Sequence, residues 1–269
     1  MTALDVRLES VFEAGGAPNV PVPDEVESAY GGPFWLPEQA IYANFVSSID
    51  GVAAIGGVEM SSAEISGGAA ADRFVMALLR AVADAVVVGA GTVREHDGPW
   101  TAEKAYPPGA ESFSRLRAGI SASESPMLVV VTASGKLPGD HPALAEAIVI
   151  TTSAGARSLT EARARVGEVI DVGDADRVDG AVAIDRLRER GYQRILTEGG
   201  PRLMGAMLEA SAVDQLFLTI SPKLIGGGPE RTPLTDETDL LERDAGARLL
   251  SIRRSDDYLL LRYSLPSPS

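Results

Sequence analysis

The sequence predicts an α/β fold, three layers deep (αβα), on three observations. Short β-rich runs recur along the chain, and several are apolar almost throughout, such as Val86–Val88 and Leu128–Val131. Strands of that kind are covered on both faces, as in a mostly parallel sheet with helices on each side. Helical patterns stand between the runs, which is the alternation of an α/β protein. The last two runs are separated only by Arg254–Asp257, too short for a crossover, so they pair antiparallel and the sheet is mixed.

In chain order, residues 1–40 are expected to form an N-terminal extension packed on the domain. Ala17–Pro37 carries five prolines and two glycines, which suits an extended segment lying over the surface. The expected strands are Ile41–Val46, Asp84–Val88, Met127–Thr132, Ile148–Thr152, Val169–Val172, Arg194–Thr197, Gln215–Ile220, Ala247–Ile252 and Tyr258–Tyr263. The clearest helix is Gly68–Val82, where Phe74, Ala77, Leu78 and Ala81 recur at helical spacing; Ala181–Arg190 and Arg202–Ala210 are the others. Glu95–Pro126, rich in Pro, Gly and Ser, reads as a long loop with one helical turn. With no repeat and no linker, residues 41–269 read as a single domain.

Composition excludes several function classes. The 269 residues carry a formal net charge of −14, a field that repels phosphate backbones, so nucleic acid is not an expected partner. The absence of cysteine removes disulfides, thiolate zinc sites and cysteine nucleophiles; no metal site is expected. The first ten residues show no secretory signal, and no apolar run approaches the roughly 20 residues of a membrane span. The expectation is a soluble cytoplasmic protein. No Gly-x-Ser-x-Gly elbow is present, and both histidines, His96 and His141, lie in Pro/Gly-rich loops and read as surface residues, which disfavours a Ser–His–Asp hydrolase.

Four motifs carry the chemistry. A strand runs straight into Gly89-Ala90-Gly91-Thr92-Val93, where two glycines let the backbone approach a diphosphate and the following amides, with the Thr92 hydroxyl, can donate to it. Taken alone, such a motif is as readily a tight turn. A second strand ends in Glu198-Gly199-Gly200, with a helix starting at Pro201, so its amides can hold an anion while Glu198 stands where α/β ligand crevices open. The cluster Gly226-Gly227-Gly228 lacks the Lys-Ser/Thr of a triphosphate loop and is equally a flexible loop. Asn44 to Gly51 brings Ser48 and Asp50 to a turn, an arrangement common in any protein.

In this order, Ser48-Ile49-Asp50-Gly51, the helix Ala69–Arg80, Gly89–Val93, Glu198–Gly200 and Ser221-Pro222-Lys223-Leu224-Ile225-Gly226 resemble the reductase domain of bacterial riboflavin biosynthesis, from about residue 40 to the C-terminus. The resemblance implies a dihydrofolate-reductase-like fold, NADPH as cofactor and reduction of 5-amino-6-(5-phosphoribosylamino)uracil, with hydride delivered to the sugar carbon of the open-chain Schiff base. It places Gly89, Ala90, Gly91, Thr92, Val93, Gly199, Gly200, Arg202 and Leu203 at the diphosphate and nicotinamide side. It places Thr132, Ser134, Thr151 and Thr152 near the adenosine and its 2′-phosphate. Asn44, Ser48, Asp50, Arg73 and Glu198 line the substrate side, with Asp50 and Glu198 as the candidates for a proton-supplying or polarising group. Arg73 and Arg80 share a helix face, and Arg73 is retained on the family match. The resemblance also implies a homodimer, for which the C-terminal strands are an edge in need of cover.

Two departures bear on the substrate. The family commonly carries a lysine where Asn44 stands, and Arg94-Glu95-His96-Asp97-Gly98 replaces its Ala-Asp-Asp-Pro. The zinc deaminase often fused to such domains is absent, because its cysteine ligands are. Two alternatives stand beside the main reading: a pterin or folate reductase, and a non-catalytic NADP-binding protein.

Overall fold

The computed structural model describes residues 4–15, 18–56, 61–96, 98–120, 122–161, 165–236, 238–240 and 246–266. Its elements are β1 (Glu9–Glu13), α1 (Asp24–Tyr30), β2 (Ala40–Ser48), β3 (Ala54–Ile55), α2 (Ser61–Ser66), α3 (Ala70–Val82), β4 (Ala85–Gly89), α4 (Ala90–Glu95), α5 (Ala102–Ala105), α6 (Ala110–Gly119), β5 (Met127–Thr132), β6 (Ile148–Thr151), α7 (Ser153–Glu161), β7 (Glu168–Asp171), α8 (Gly180–Arg188), β8 (Arg194–Thr197), α9 (Pro201–Glu209), β9 (Gln215–Ser221), β10 (Arg231–Thr232), β11 (Arg248–Ser255) and β12 (Tyr258–Ser264).

Ten strands make one sheet in the order β1-β11-β12-β9-β2-β8-β4-β5-β6-β7, and β10 pairs with β3 in a separate ribbon. From β9 to β7 every pairing is parallel. From β9 through β12 and β11 to β1 every pairing is antiparallel. The mixed, mostly parallel sheet with antiparallel C-terminal strands is as the sequence predicts, and all nine expected strands are present. One face packs on α1, α3, α5 and α6, through Tyr30, Phe74, Leu78, Phe113 and Leu116; the other packs on α8 and α9, through Ile184, Leu187, Met204 and Met207.

Local signals explain the layers. Asp179 caps α8, accepting from the amides of Ala181 and Val182 at 2.8 and 3.2 Å. Pro201 takes the first position of α9, where its missing N–H costs nothing. β4 is apolar from Ala85 to Val88 and wholly buried there, because it sits between β8 and β5 with a layer on each face.

Two expectations are corrected. Residues 95–126 are not a long loop with one turn, since they hold α5 and the ten-residue α6. Only Phe113 and Leu116 are large apolar residues facing inward from α6; the inward stripe is completed by Ser112 and Arg117. Arg117 donates to the carbonyls of Arg80, Ala81 and Ala83 at 3.2, 3.1 and 2.9 Å, satisfying the open C-terminal end of α3.

Nor is Ala17–Pro37 an extended surface segment. It contains α1, ended by Gly31 at φ 81°, and it buries Val20, Val26, Tyr30, Phe34 and Leu36. Each large apolar side chain so buried contributes roughly 1.5–3 kcal/mol. Beneath it lie two arginines of the antiparallel strands. Arg253 stacks on the Tyr30 ring at 3.8 Å and donates to the Tyr30 carbonyl; Arg262 donates to Gln215 at 2.6 and 3.0 Å over the ring of Phe217. The aromatic residues of the N-terminal segment thus cover cations that would otherwise meet solvent.

Candidate active site

The parallel strands all deliver their carboxyl ends to one edge of the sheet, the usual location of α/β ligand sites. β4 and β8 are neighbours there, so the turns that follow them stand side by side. A side chain at Gly89 or Gly200 would meet no atom within 4 Å, and one at Gly91 would meet only the tip of Arg94 at 3.9 Å. These three glycines face open space. Gly199 differs: a Cβ there would lie 2.4 Å from Leu203, so this glycine makes room for the packing of α9. Neither Gly89 nor Gly200 carries a side-chain cap, which leaves the first amides of α4 and α9 free of capping side chains.

Glu198 follows β8 directly, held by its amide to the Val87 carbonyl at 3.0 Å. Its carboxylate is gripped by Arg80 from α3: Nε donates at 2.9 and 3.1 Å and Nη2 at 2.6 Å. The two side chains are only 8% and 10% exposed, so this is a buried ion pair. Arg80, not Arg73, is therefore the arginine of this helix that reaches the acid. Arg73 is exposed and donates to the Ala105 carbonyl at 3.0 Å.

A further acid lies on the same helix. Asp72, on the first turn of α3, is half-buried, with the Thr219 hydroxyl of β9 and the charge of Glu198 in its surroundings. Burial, reinforced by the charge of Glu198, pushes its carboxyl up to about 6, against the lowering effect of Thr219. No motif marks Asp72 in the sequence; the signal was its place two turns before Arg80 on an amphipathic helix.

Asp50 is a different kind of acid. It is exposed and accepts from the Ser48 hydroxyl at 2.5 Å, from the Gly226 amide at 2.6 Å and from the Ile225 amide at 3.2 Å. Those bonds, Ser48 first, pull its carboxyl down to about 2. Asp50 is therefore held as a carboxylate rather than as a proton-supplying acid, and it clasps the turn after β2 to the glycine cluster after β9. The pairing of β3 with β10 extends the same clasp.

Several expected contact residues are turned inward. Ser48, at 1% exposure, is committed to Asp50 and to the Val52 amide. Val93 is core. Thr151 and Thr152 are buried; Thr152 donates to the Ala133 carbonyl at 2.8 Å, and a Cβ on Gly155 would come within 1.9 Å of the Thr151 hydroxyl. Their hydroxyls pack the turns after β5 and β6 together rather than facing a ligand. Thr132 is also buried, whereas Ser134 is exposed, its hydroxyl 3.4 Å from the Lys136 amide. Arg202 points to solvent and pairs with Asp236 at 3.4 Å. Ala90 and Thr92 are half-buried in the first turn of α4, and Leu203 half-buried on α9. His96 and His141 are half-buried rather than surface residues, with His141 Nε2 2.8 Å from the His96 carbonyl. Asp97 lies outside the described residues.

Asn44 is half-buried and lines a small cavity with Val75, Phe217, Thr219, Arg253 and Arg262. One feature was invisible in the sequence: Arg94 and Lys136, 42 residues apart, meet at the ends of β4 and β5, where Arg94 donates to the Lys136 carbonyl at 3.2 Å beside Ser134. Among the described residues no cluster of three or more His, Asp or Glu side chains is placed to hold a metal, and no helix is long and apolar enough to cross a membrane.

The chain matches the RibD C-terminal domain family over residues 39–261. It is 29% identical over 181 residues to the 2,5-diamino-6-ribosylamino-4(3H)-pyrimidinone 5′-phosphate reductase of Methanothermobacter thermautotrophicus, covering 66% of this chain and 76% of that one. It is 31% identical over 210 residues to the riboflavin biosynthesis protein RibD of Mycobacterium tuberculosis, covering 75% of this chain and 49% of that longer protein. A crystal structure of a pyrimidine reductase-like protein from Corynebacterium diphtheriae superposes with a TM-score of 0.67 at 25% identity, covering 90% of this chain and 99% of that one. With most of its length matched and its strand-end motifs in register, the chain belongs to the RibD C-terminal domain family.

Proposed function

We propose that this protein is an NADPH-dependent oxidoreductase that reduces a ribosylamino-pyrimidine 5′-phosphate of riboflavin biosynthesis to its ribitylamino form. The observation that carries the reading is the pair of open glycine turns on neighbouring strands β4 and β8, with the Glu198–Arg80 pair directly beside them.

The cradle fits a dinucleotide. Gly89, Gly91 and Gly200 leave the space a diphosphate needs, and the first amides of α4 and α9, with the Thr92 hydroxyl, are its donors. Ser134, Lys136 and Arg94 supply a local cationic corner for a 2′-phosphate in an otherwise acidic protein, which supports NADPH over NADH. A reduced nicotinamide, when bound, supplies the hydride. Glu198 is fixed by Arg80 as a hydrogen-bond acceptor for sugar hydroxyls, and Asp50 holds the substrate-side rim in place. Asn44 and Arg73 complete that side.

A homodimer is part of the same reading. Leu218, Ile220, Leu259 and Leu261 lie on one face of the antiparallel strands, and Leu259 is 41% exposed. Sedimentation at micromolar concentration tests it, a monomer being the contrary result.

The functional test is NADPH consumption with the ribosylamino-pyrimidine phosphate. The expected result is stoichiometric formation of the ribitylamino product, with NADPH bound more tightly than NADH. Tight NADPH binding without turnover on any pyrimidine would favour a binding protein, and turnover on dihydropterins alone would favour a folate-type reductase.

A further inference from the structure

Two guanidiniums lie under the N-terminal segment, on one face of the antiparallel strands. Arg262 of β12 stands opposite Ser251 of β11 and Phe217 of β9, and Phe217 stands opposite Asn44 of β2. One row further along the same face, Arg253 of β11 stands opposite Leu260, and Leu260 opposite Thr219. Residues two apart on a strand share a face, so Arg253 and Arg262 are diagonal neighbours. They are only 2% and 3% exposed. Both line one cavity of about 10 Å³, together with Tyr30, Asn44, Thr219 and Ser251. That volume suits a single particle about the size of a water molecule.

The charges under this cover do not balance. Arg253 has Glu13, whose carboxylate lies 3.0 Å from Nη1, yet that buried nitrogen makes no hydrogen bond. Arg262 has the side-chain oxygen of Gln215, a neutral partner, and the ring faces of Phe217 and Phe34 at 5.0 and 5.9 Å. Among the described residues no carboxylate forms an ion pair with Arg262. Burial first, and then the charge of Arg253, push the Arg262 guanidinium below its ordinary pKa, against the opposing effects of Tyr30 and Glu13. A guanidinium nevertheless keeps its proton. Two fixed positive charges therefore share one carboxylate, in a place where water is scarce and an unbalanced charge is costly.

We propose that this cavity binds one monatomic anion, chloride, as the second counter-charge of Arg253 and Arg262. Nη1 of Arg253 is a donor with no other hydrogen bond to satisfy it. Acetate, sulfate and phosphate are too large for the volume, so the site selects by size. A water molecule would fill the same space and leave the charge unbalanced. The anion ties β11 and β12 to the segment that carries Tyr30 and Phe34, so its binding stabilises the folded chain by mass action. The proposal does not depend on the reduction proposed above.

The test follows thermal unfolding of the full chain in sodium chloride or sodium bromide, against sodium acetate at equal ionic strength. Raising the halide from about 1 to about 300 mM should raise the Tm of the native protein by roughly 2–5 °C more than acetate does. Arg262→Met removes one charge and leaves the Arg253–Glu13 pair, so that difference should vanish. Glu13→Gln removes the carboxylate and leaves both arginines, so the difference should grow. The two variants act in opposite directions, which a general loss of stability cannot imitate. In crystals grown with bromide, anomalous scattering should place one ion in contact with both guanidiniums. Should Arg262→Met not fold, the Glu13→Gln response and the bromide map decide. Equal responses to halide and acetate in the native protein, a halide response that survives in folded Arg262→Met, or a bromide map with no peak in the cavity would overturn the proposal.

Discussion

Asp50 and Glu198 occupy matching places in the chain, each just past the end of a central parallel strand, yet the molecule treats them differently. Asp50 stands on the exposed rim, where a serine hydroxyl and two backbone amides stabilise its charge and tie two loops together. Glu198 lies on the floor, buried, with a single arginine as counter-ion and a second acid, Asp72, close by. A carboxylate held by backbone amides organises a loop. A carboxylate held by one cation in a poorly hydrated site is set up for recognition and chemistry.

The sharpest way to break the contrast is to remove the counter-ion. Arg80→Met leaves Glu198 charged and unpaired beside Asp72 and should cost about 3–5 kcal/mol in denaturant unfolding, as loss of one partner of a buried pair does. Glu198→Gln keeps the shape, and should retain most of the stability while lowering turnover by about 10²-fold or more. Asp50→Asn should do less: the rim loosens and KM rises, with NADPH affinity little changed. Wild-type kinetics in Glu198→Gln combined with a large kcat loss in Asp50→Asn would invert the assignment of floor and rim.

The pH response separates the two regions further. Asp50 has its pKa lowered, so its stabilising contribution is present above the ordinary value of 3.8 and is lost only as pH falls through about 2. Asp72 is raised, so its contribution is fully present below 3.8 and is lost as pH rises through about 6. Unfolding free energy measured across that window should fall with rising pH in the native protein. In Asp72→Asn that slope should be absent. An identical slope in both proteins would mean that Asp72 is solvated in solution.

Sequence alone revealed the parallel half of the molecule well, because its inner strands, such as Ala85–Gly89, Met127–Thr132 and Ile148–Thr151, are apolar runs delivered to a turn. It revealed the N-terminal cover of the antiparallel end poorly. There the covering segment is anchored by scattered side chains such as Val20, Tyr30 and Phe34, and it packs on buried arginines, so neither periodicity nor composition announces it. The site was legible at its glycine turns and at Glu198, where backbone geometry demands particular residues. It was not legible at Asp72, Arg94 and Lys136, whose partners come from other strands, nor at Thr151 and Thr152, whose hydroxyls fill space between two turns.

The glycines allow a finer comparison of the same kind. Gly91→Val should abolish cofactor binding with the fold retained, since the added atoms enter open space. Gly155→Ala should destabilise the fold, because its Cβ would meet the Thr151 hydroxyl at 1.9 Å and the Ala133 carbonyl at 2.6 Å. Circular dichroism and a cofactor titration on both variants separate the two outcomes, and unchanged NADPH affinity in Gly91→Val would reduce the Gly89–Thr92 turn to a structural one.

The most direct measurement follows the hydride itself. NADPH carrying deuterium at the transferable position of the nicotinamide is mixed with the ribosylamino-pyrimidine phosphate, and the product is read by NMR and mass spectrometry. The account predicts one deuterium at the sugar carbon bonded to the ring amino group, with loss of that transfer in Glu198→Gln and Gly91→Val. Deuterium on the pyrimidine ring, or none in the product while NADPH is consumed, would contradict it.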